Sequence, residues 1–220
     1  MIGIIFDCDG TLVDSMCAWH EVDRTLAAEA GITLTEADAE AITTMSLPEA
    51  SAYLHEQCGL GESSEAMLEM IFERMRAFYA NEVEARPGAL EFVQALAERG
   101  VPMAVASSTP ADMLALCVER CGFAPYMKAV VSVDDLQTSK REPAIYDHAR
   151  SFLGTDRAHT WGFEDAAYAL DTLRDAGYRT GAIYDNDVSG TREELLKRAE
   201  FLLASWEDLS PDEFLAKAGA

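Results

Sequence analysis

The sequence predicts an α/β protein with a Rossmann-like parallel sheet core and an inserted all-helical domain. Short apolar runs with strand character recur at Ile2–Phe6, Met103–Ala106, Ala129–Val133, Thr160–Phe163 and Thr180–Tyr184. Helical patterns separate them, which is the alternation of a parallel sheet covered on both faces. One stretch breaks that rhythm: from about Ser15 to Val83 the pattern is helical throughout. A helical block placed after the first strand reads as a second, smaller domain. The expected division is therefore 1–14 and 84–220 for the core and 15–83 for the insertion.

The first strand ends in Asp7-Cys8-Asp9-Gly10, with two carboxylates one residue apart where a buried strand stops. The insertion then offers helices at Met16–Ala30, Glu36–Met45, Leu47–Gln57 behind the box Ser46-x-x-Glu49, and Ser64–Asn81. The methionines of "MLEMIFERM" recur at helical spacing and read as its core. "EARPGAL" marks the return to the sheet, and the helix Ala89–Arg99 stops at Gly100 to feed the second strand. Thr109-Pro110-Ala111-Asp112 reads as an N-cap, a first-turn proline and an acid facing the dipole, with Gly122 closing that helix. Thr191-x-x-Glu194 and Ser210-Pro211-Asp212-Glu213 are further capping boxes.

Composition narrows the function classes. With a net charge of -22 and a pI near 4.3, the chain repels phosphate backbones and anionic membranes, so neither nucleic acid nor membrane is expected as a partner. Cys8, Cys17, Cys58, Cys117 and Cys121 lack paired zinc spacing and read as free buried thiols of a reducing compartment. A strand beginning at residue 2 leaves no room for a leader ahead of it, and no apolar run reaches membrane-spanning length. The cytoplasm is the expected location.

In open parallel sheets ligands bind outside the carboxyl ends of the strands. After the first strand stand Asp7 and Asp9; after the second, Ser107, Ser108 and Thr109; after the fourth, Glu164 and Asp165. Lys140, one of four lysines in the chain, falls between the third and fourth. Crowded carboxylates cannot all ionise unless a cation intervenes, and an all-oxygen set favours hard Mg2+ over zinc. His20, His55, His148 and His159 share no ligand spacing. Asp185 to Gly190 matches the first half of a calcium loop, but Leu196 stands where the bidentate glutamate is needed and a strand precedes the loop.

Taken together, "DCDGT", "VASS", "SKREP" and "GFEDAAYALDTLRDAG" resemble, in order and at the proper strand ends, the four motifs of the haloacid dehalogenase superfamily. The resemblance covers essentially the whole chain and is to the helical-cap branch, phosphatase/beta-phosphoglucomutase-like. It implies that Asp7 is the nucleophile taking up a phosphoryl group, and that Asp9 protonates the leaving oxygen and then activates water. Ser107 and adjacent backbone N–H groups would hold the phosphoryl oxygens, with Ser108 a weaker candidate, and Lys140 would neutralise their charge. Mg2+ would sit on the Asp7 carboxylate, the Asp9 main-chain carbonyl and Asp165, with Glu164 touching the ion or bonded to its ligands. Arg141 stands where the family has proline, Ala166 where it often has a small hydroxyl residue, and Ala169 where it has glycine.

Asp9 argues against dehalogenation, because a carbon–halogen bond needs no protonated leaving oxygen. Phosphonate cleavage needs a cap lysine, and residues 15–83 contain none. Phosphomutases of this architecture carry a cap histidine and lysine; Trp19 falls at the histidine's place, with His20 adjacent. The preferred reading is a phosphatase acting on a small phosphorylated metabolite as a monomer or weak homodimer. The alternatives are a sugar phosphomutase of the beta-phosphoglucomutase type and, in a different class, a catalytically silent or receiver-like phosphoacceptor module. Trp19, His20 and Arg24 are the candidate specificity residues, Trp19 facing either the substrate or the cap interior. The cap sets Arg24, Arg74 and Arg76 against many acids, among them Glu21, Asp23, Glu29, Glu36 and Asp38, which favours a leaving group that is neutral or weakly anionic.

Overall fold

The computed structural model describes residues 2–43, 45–186 and 189–219. In chain order the elements are β1 (Gly3–Phe6), then the helices α1 (Met16–Glu29), α2 (Glu36–Thr43), α3 (Leu47–Glu56), α4 (Ser64–Asn81) and α5 (Ala89–Glu98). Next come β2 (Met103–Ser107), α6 (Ala111–Arg120), β3 (Met127–Ser132), α7 (Val133–Leu136), α8 (Ala144–Ser151) and β4 (Thr160–Glu164). The chain closes with α9 (Ala167–Asp175), β5 (Arg179–Ile183), α10 (Arg192–Leu196), β6 (Phe201–Leu203) and α11 (Pro211–Ala218). Two compact units result: residues up to 14 together with 83 onward, and residues 15–82.

In the first unit the strands form one parallel sheet in the order β3-β2-β1-β4-β5-β6. Every residue of β1, β2 and β4 is buried, as expected for strands covered on both faces, which is why they read as continuous apolar runs. Aromatic rings fill one side of the sheet. Trp206 lies 5.5 Å from Phe6, 4.8 Å from Phe92 and 5.1 Å from Phe163, ring centre to ring centre.

In the second unit, the buried residues Met67, Ile71, Met75 and Tyr79 follow the four-residue spacing of one helix face, and α4 packs against α1 and α3. The box Ser46/Glu49 opens α3, and Ser63 caps α4 by accepting the Ala66 N–H at 3.1 Å. No helix among the described residues is long and apolar enough to cross a membrane.

Several boundaries differ from expectation for identifiable reasons. β3 starts at Met127 rather than Ala129, because an edge strand exposes alternate residues and hides its beginning from an apolar-run criterion. β6, at the opposite edge, was not expected at all; three residues are too short to show a period. The second unit ends at Glu82 rather than Val83, whose carbonyl accepts from Arg120 Nε at 2.9 Å within the sheet unit. The expected helix Glu36–Met45 ends at Thr43; Thr44 lies outside the described residues, as do Asp187 and Val188 of the calcium-like loop. Thr109 does not cap α6: Pro110 occupies the N-cap position, without a side-chain cap bond.

Helix α9 also starts uncapped, with the extended residue Ala166 (φ -91, ψ 124) at its N-cap. Ala166→Ser is expected to supply the missing acceptor and stabilise the protein by about 1 kcal/mol. That corresponds to a rise in Tm of about 2–4 °C, readable by thermal denaturation.

Candidate active site

The sheet reverses its winding at β1, with β2 and β3 on one side and β4 to β6 on the other. Parallel strands splay their connections apart at such a point and leave a crevice outside their carboxyl ends. β1 ends at Phe6 and delivers Asp7; neighbouring β4 ends with Glu164 and delivers Asp165; β2 ends with Ser107.

The loop after β1 is a compact turn around Cys8. Its carbonyl accepts the N–H groups of Thr11, Leu12 and Val13 at 3.3, 2.8 and 3.1 Å, while Gly10 at φ +75 takes the left-handed conformation the turn requires. The Asp7 N–H donates to the Phe163 carbonyl at 2.9 Å, and Trp206 Nε1 donates to the Thr11 carbonyl at 2.9 Å. The backbone carrying Asp7 and Asp9 is thereby fixed from two directions.

Lys140, 4% exposed, reaches both strand ends, pairing with Asp7 Oδ1 and with Glu164 Oε1 at 2.8 Å. Glu164 Oε1 also accepts from the Tyr146 hydroxyl at 2.8 Å. The Ser189 side chain stands close enough to Asp165 to favour its ionised form. Asp9 is only partly buried, and its carboxylate accepts from the Thr109 hydroxyl. The Thr109 N–H donates to Ser107 Oγ at 3.1 Å, and the Thr109 carbonyl accepts from Ser132 Oγ at 2.7 Å, so β3 braces the turn that holds Asp9.

One ammonium thus faces three buried carboxylates, and the titration of the group follows. Burial raises the Asp7 carboxyl above its ordinary value; Lys140 opposes this and the Asp9 charge adds to it. Burial, then the Asp7 charge, push Glu164 to about 8 and Asp165 to about 7. Burial works against the Lys140 ammonium, but Asp7 and Glu164 outweigh it and hold its pKa above the usual lysine value.

Oxygens of Asp7, Glu164 and Asp165 lie within 4.8 Å of one another, and Glu164 Oε2 is buried with no hydrogen-bond partner. An orphaned acceptor in an all-oxygen set with surplus negative charge fits a hard divalent cation.

Of the residues expected in the site, Asp7, Lys140, Glu164 and Asp165 form one cluster, Asp9 stands beside it, and Ser107 and Ser108 lie at the neighbouring strand end, the first buried and the second exposed. Trp19, His20 and Arg24 belong to the helical unit, all on α1. Trp19 Nε1 donates to the Tyr79 hydroxyl at 2.8 Å, while His20 and Arg24 are exposed. Arg141, where the family has proline, stacks on the Tyr168 ring at 4.6 Å. The bonds of Thr109 and Tyr146 to the acids were not anticipated. Thr109 has the local signature of a helix cap, and Tyr146 carries no sequence signal toward a carboxylate.

The buried carboxylates and the lysine thus stand at the switch point of a parallel α/β sheet, where such folds bind their ligands. The chain belongs to the haloacid dehalogenase-like hydrolase family, whose profile matches residues 2–177. It is similar to the phosphoglycolate phosphatase of Rhodobacter capsulatus, at 28% identity over 79% of this chain and 80% of the relative. It is also similar to hexitol phosphatase B of Escherichia coli K12, at 24% identity over 82% of each chain. Among solved structures, a HAD family hydrolase of Deinococcus radiodurans with bound phosphate and sodium superposes with a TM-score of 0.76 at 24% identity, covering 100% of this chain and 96% of that one.

Proposed function

We propose that the protein is a Mg2+-dependent phosphatase that hydrolyses a small phosphate monoester through an aspartyl-phosphate on Asp7. The observation that carries the reading is the pairing of buried Asp7 with Lys140, two residues from an Asp9 that is half-exposed and held by Thr109. An Asp7 oxygen attacks phosphorus while the Lys140 ammonium offsets charge on the transferring oxygens. Asp9 protonates the leaving oxygen and then takes a proton from the water that cleaves the acyl phosphate. Ser107 and the N–H groups at the start of α6 orient the phosphoryl oxygens. Asp7, Asp165, Glu164 and the Asp9 main-chain carbonyl would hold Mg2+, which supplies further neutralisation of phosphoryl charge.

Relatives named for phosphoglycolate and hexitol phosphates support a small monoester as substrate. The acid-rich helical unit, without lysine, supports a leaving group that is neutral or weakly anionic over a bisphosphate, and over a phosphomutase with its cap lysine. The free thiols fit a reducing, cytoplasmic setting.

The test is inorganic phosphate release from an aryl phosphate with and without Mg2+, then kcat/KM across polyol phosphates, sugar monophosphates, phosphoglycolate and sugar bisphosphates. Mg2+-dependent turnover with monoesters preferred is expected. No release from any member, or a clear preference for bisphosphates, would overturn the reading. Sensitivity of phosphoglycolate turnover to Arg24→Ala would identify the carboxylate's partner.

Proton linkage gives a second check. With Glu164 raised to about 8 and Asp165 to about 7, the cation-free site is partly protonated near neutrality. A cation needs the deprotonated carboxylates, so Mg2+ affinity is expected to rise with pH through this range and binding to release protons. Calorimetry in buffers of different ionisation enthalpy measures both.

A further inference from the structure

Directly behind the Asp7–Asp9 loop stand three thiols that phosphoryl transfer does not use. Cys8, between the two aspartates, and Cys117, on α6, are both fully buried, with their Sγ atoms 3.4 Å apart. Cys121 follows one helical turn further on, its N–H donating to the Cys117 carbonyl at 3.0 Å and its Sγ to the Val83 carbonyl at 3.8 Å, and it is partly exposed. The sulfurs therefore run from near the surface to the nucleophile loop with Cys117 in the middle.

We infer that Cys121, Cys117 and Cys8 form a thiol relay that delivers oxidation by a hydroperoxide to the catalytic loop as a reversible Cys8–Cys117 disulfide. The inactivation it produces rests on the phosphatase reading; the disulfide itself does not. Cys121 is the entry point by exposure, and its pKa is lowered by the neighbouring Cys117 thiol and, against some burial, by the Arg120 charge.

The steps balance. The Cys121 thiolate attacks the terminal OH oxygen of the hydroperoxide; the S–O bond forms, the O–O bond breaks, and the remaining alkoxide, or hydroxide from hydrogen peroxide, leaves to be protonated, giving a sulfenic acid. Cys117 sulfur attacks the sulfenic sulfur, forming the Cys117–Cys121 bond and expelling the hydroxyl, which leaves as water with the Cys117 proton. Exchange follows: Cys8 sulfur attacks Cys117, the Cys8–Cys117 bond forms, the Cys117–Cys121 bond breaks, and the departing Cys121 thiolate takes the Cys8 proton. The sum is two thiols and one hydroperoxide giving one disulfide, water and the peroxide's hydroxyl product.

Geometry favours that end point. Exchange needs the attacked sulfur between the other two, which is the place of Cys117. A bridge between residues one helical turn apart strains the end of α6, whereas Cys8 and Cys117 are 109 residues apart and their bridge closes a long loop. The carbonyl of Cys8 gathers the N–H groups of Thr11, Leu12 and Val13, so drawing its sulfur to bonding distance shifts the turn carrying Asp7 and Asp9.

The experiment uses the full chain with Cys17→Ser and Cys58→Ser, removing the other two thiols. After hydrogen peroxide, non-reducing peptide mapping and turnover of an aryl phosphate are followed together. A Cys8–Cys117 cross-linked peptide is expected, with turnover falling about tenfold or more, since misplacing a reacting group by ~1 Å costs on the order of a hundredfold. Dithiothreitol restores both. Cys117→Ala, active before peroxide, keeps its turnover; Cys121→Ser forms the bridge several-fold more slowly. Cys121 driven to sulfinic acid without any bridge, a bridge that leaves turnover unchanged, or equal bridging rates with Cys121→Ser would each overturn the relay. Should the chain hydrolyse no phosphate at all, mapping alone still decides the bridge, so the two failures are distinct.

Discussion

Replacing the nucleophile, Asp7→Asn, is expected to reduce aryl-phosphate turnover by on the order of a thousandfold or more while leaving the protein folded, because the amide cannot displace the leaving oxygen. Such a loss has to be separated from a loss of structure, since Asp7 is a partner of a buried ammonium. Glu164 Oε1 stays 2.8 Å from Lys140 and keeps that charge paired. The variant also relieves the repulsion that raises Glu164 and Asp165. Circular dichroism and a thermal scan should show the native fold. Wild-type turnover from Asp7→Asn, with deamidation excluded by mass, would sink the assignment.

How much of this was legible in the sequence depended on whether the information was local. Asp7, Glu164 and Asp165 each follow an apolar run directly, so the rule that strands deliver chemistry at their carboxyl ends located them. Lys140 is in a loop, and its motif indicated it where no period could. Thr109 shows the limit. Followed by proline and an acid, it has the local grammar of a helix cap, yet its hydroxyl is directed to a carboxylate 100 residues earlier. Trp206 is a second case: nothing near it says that its indole N–H will hold the Thr11 carbonyl. That bond exists because the last strand and the nucleophile loop meet around one aromatic core. The thiol cluster was invisible for the same reason. Five scattered cysteines gave no spacing to read, and only the approach of α6 to the loop after β1 brings three of them together.

The second large effect concerns Asp9, and its signature differs from that of Asp7. Asp9→Asn is expected to lower kcat by about a hundredfold to ten-thousandfold, the usual contribution of a positioned acid and base. Magnesium affinity should change little, since only the main-chain carbonyl of residue 9 would meet the ion. The split arises because Asp9 serves both halves of the reaction: without its proton the leaving oxygen departs as an anion, and without its basicity water attacks the aspartyl-phosphate slowly. An activated aryl ester, whose leaving group needs no proton, should therefore still form the intermediate and let it accumulate on Asp7. Acid-quench mass spectrometry would detect that species, and calorimetry would report the metal. Thr109→Val offers a milder version: it removes the hydroxyl that Asp9 accepts from and leaves both aspartates in place. Its expected effect is a drop in kcat of about tenfold with KM little changed, the scale of one hydrogen bond to a charged group. A large loss of Mg2+ affinity in Asp9→Asn, with no trapped intermediate from an activated ester, would mean that this carboxylate serves the cation and not the proton.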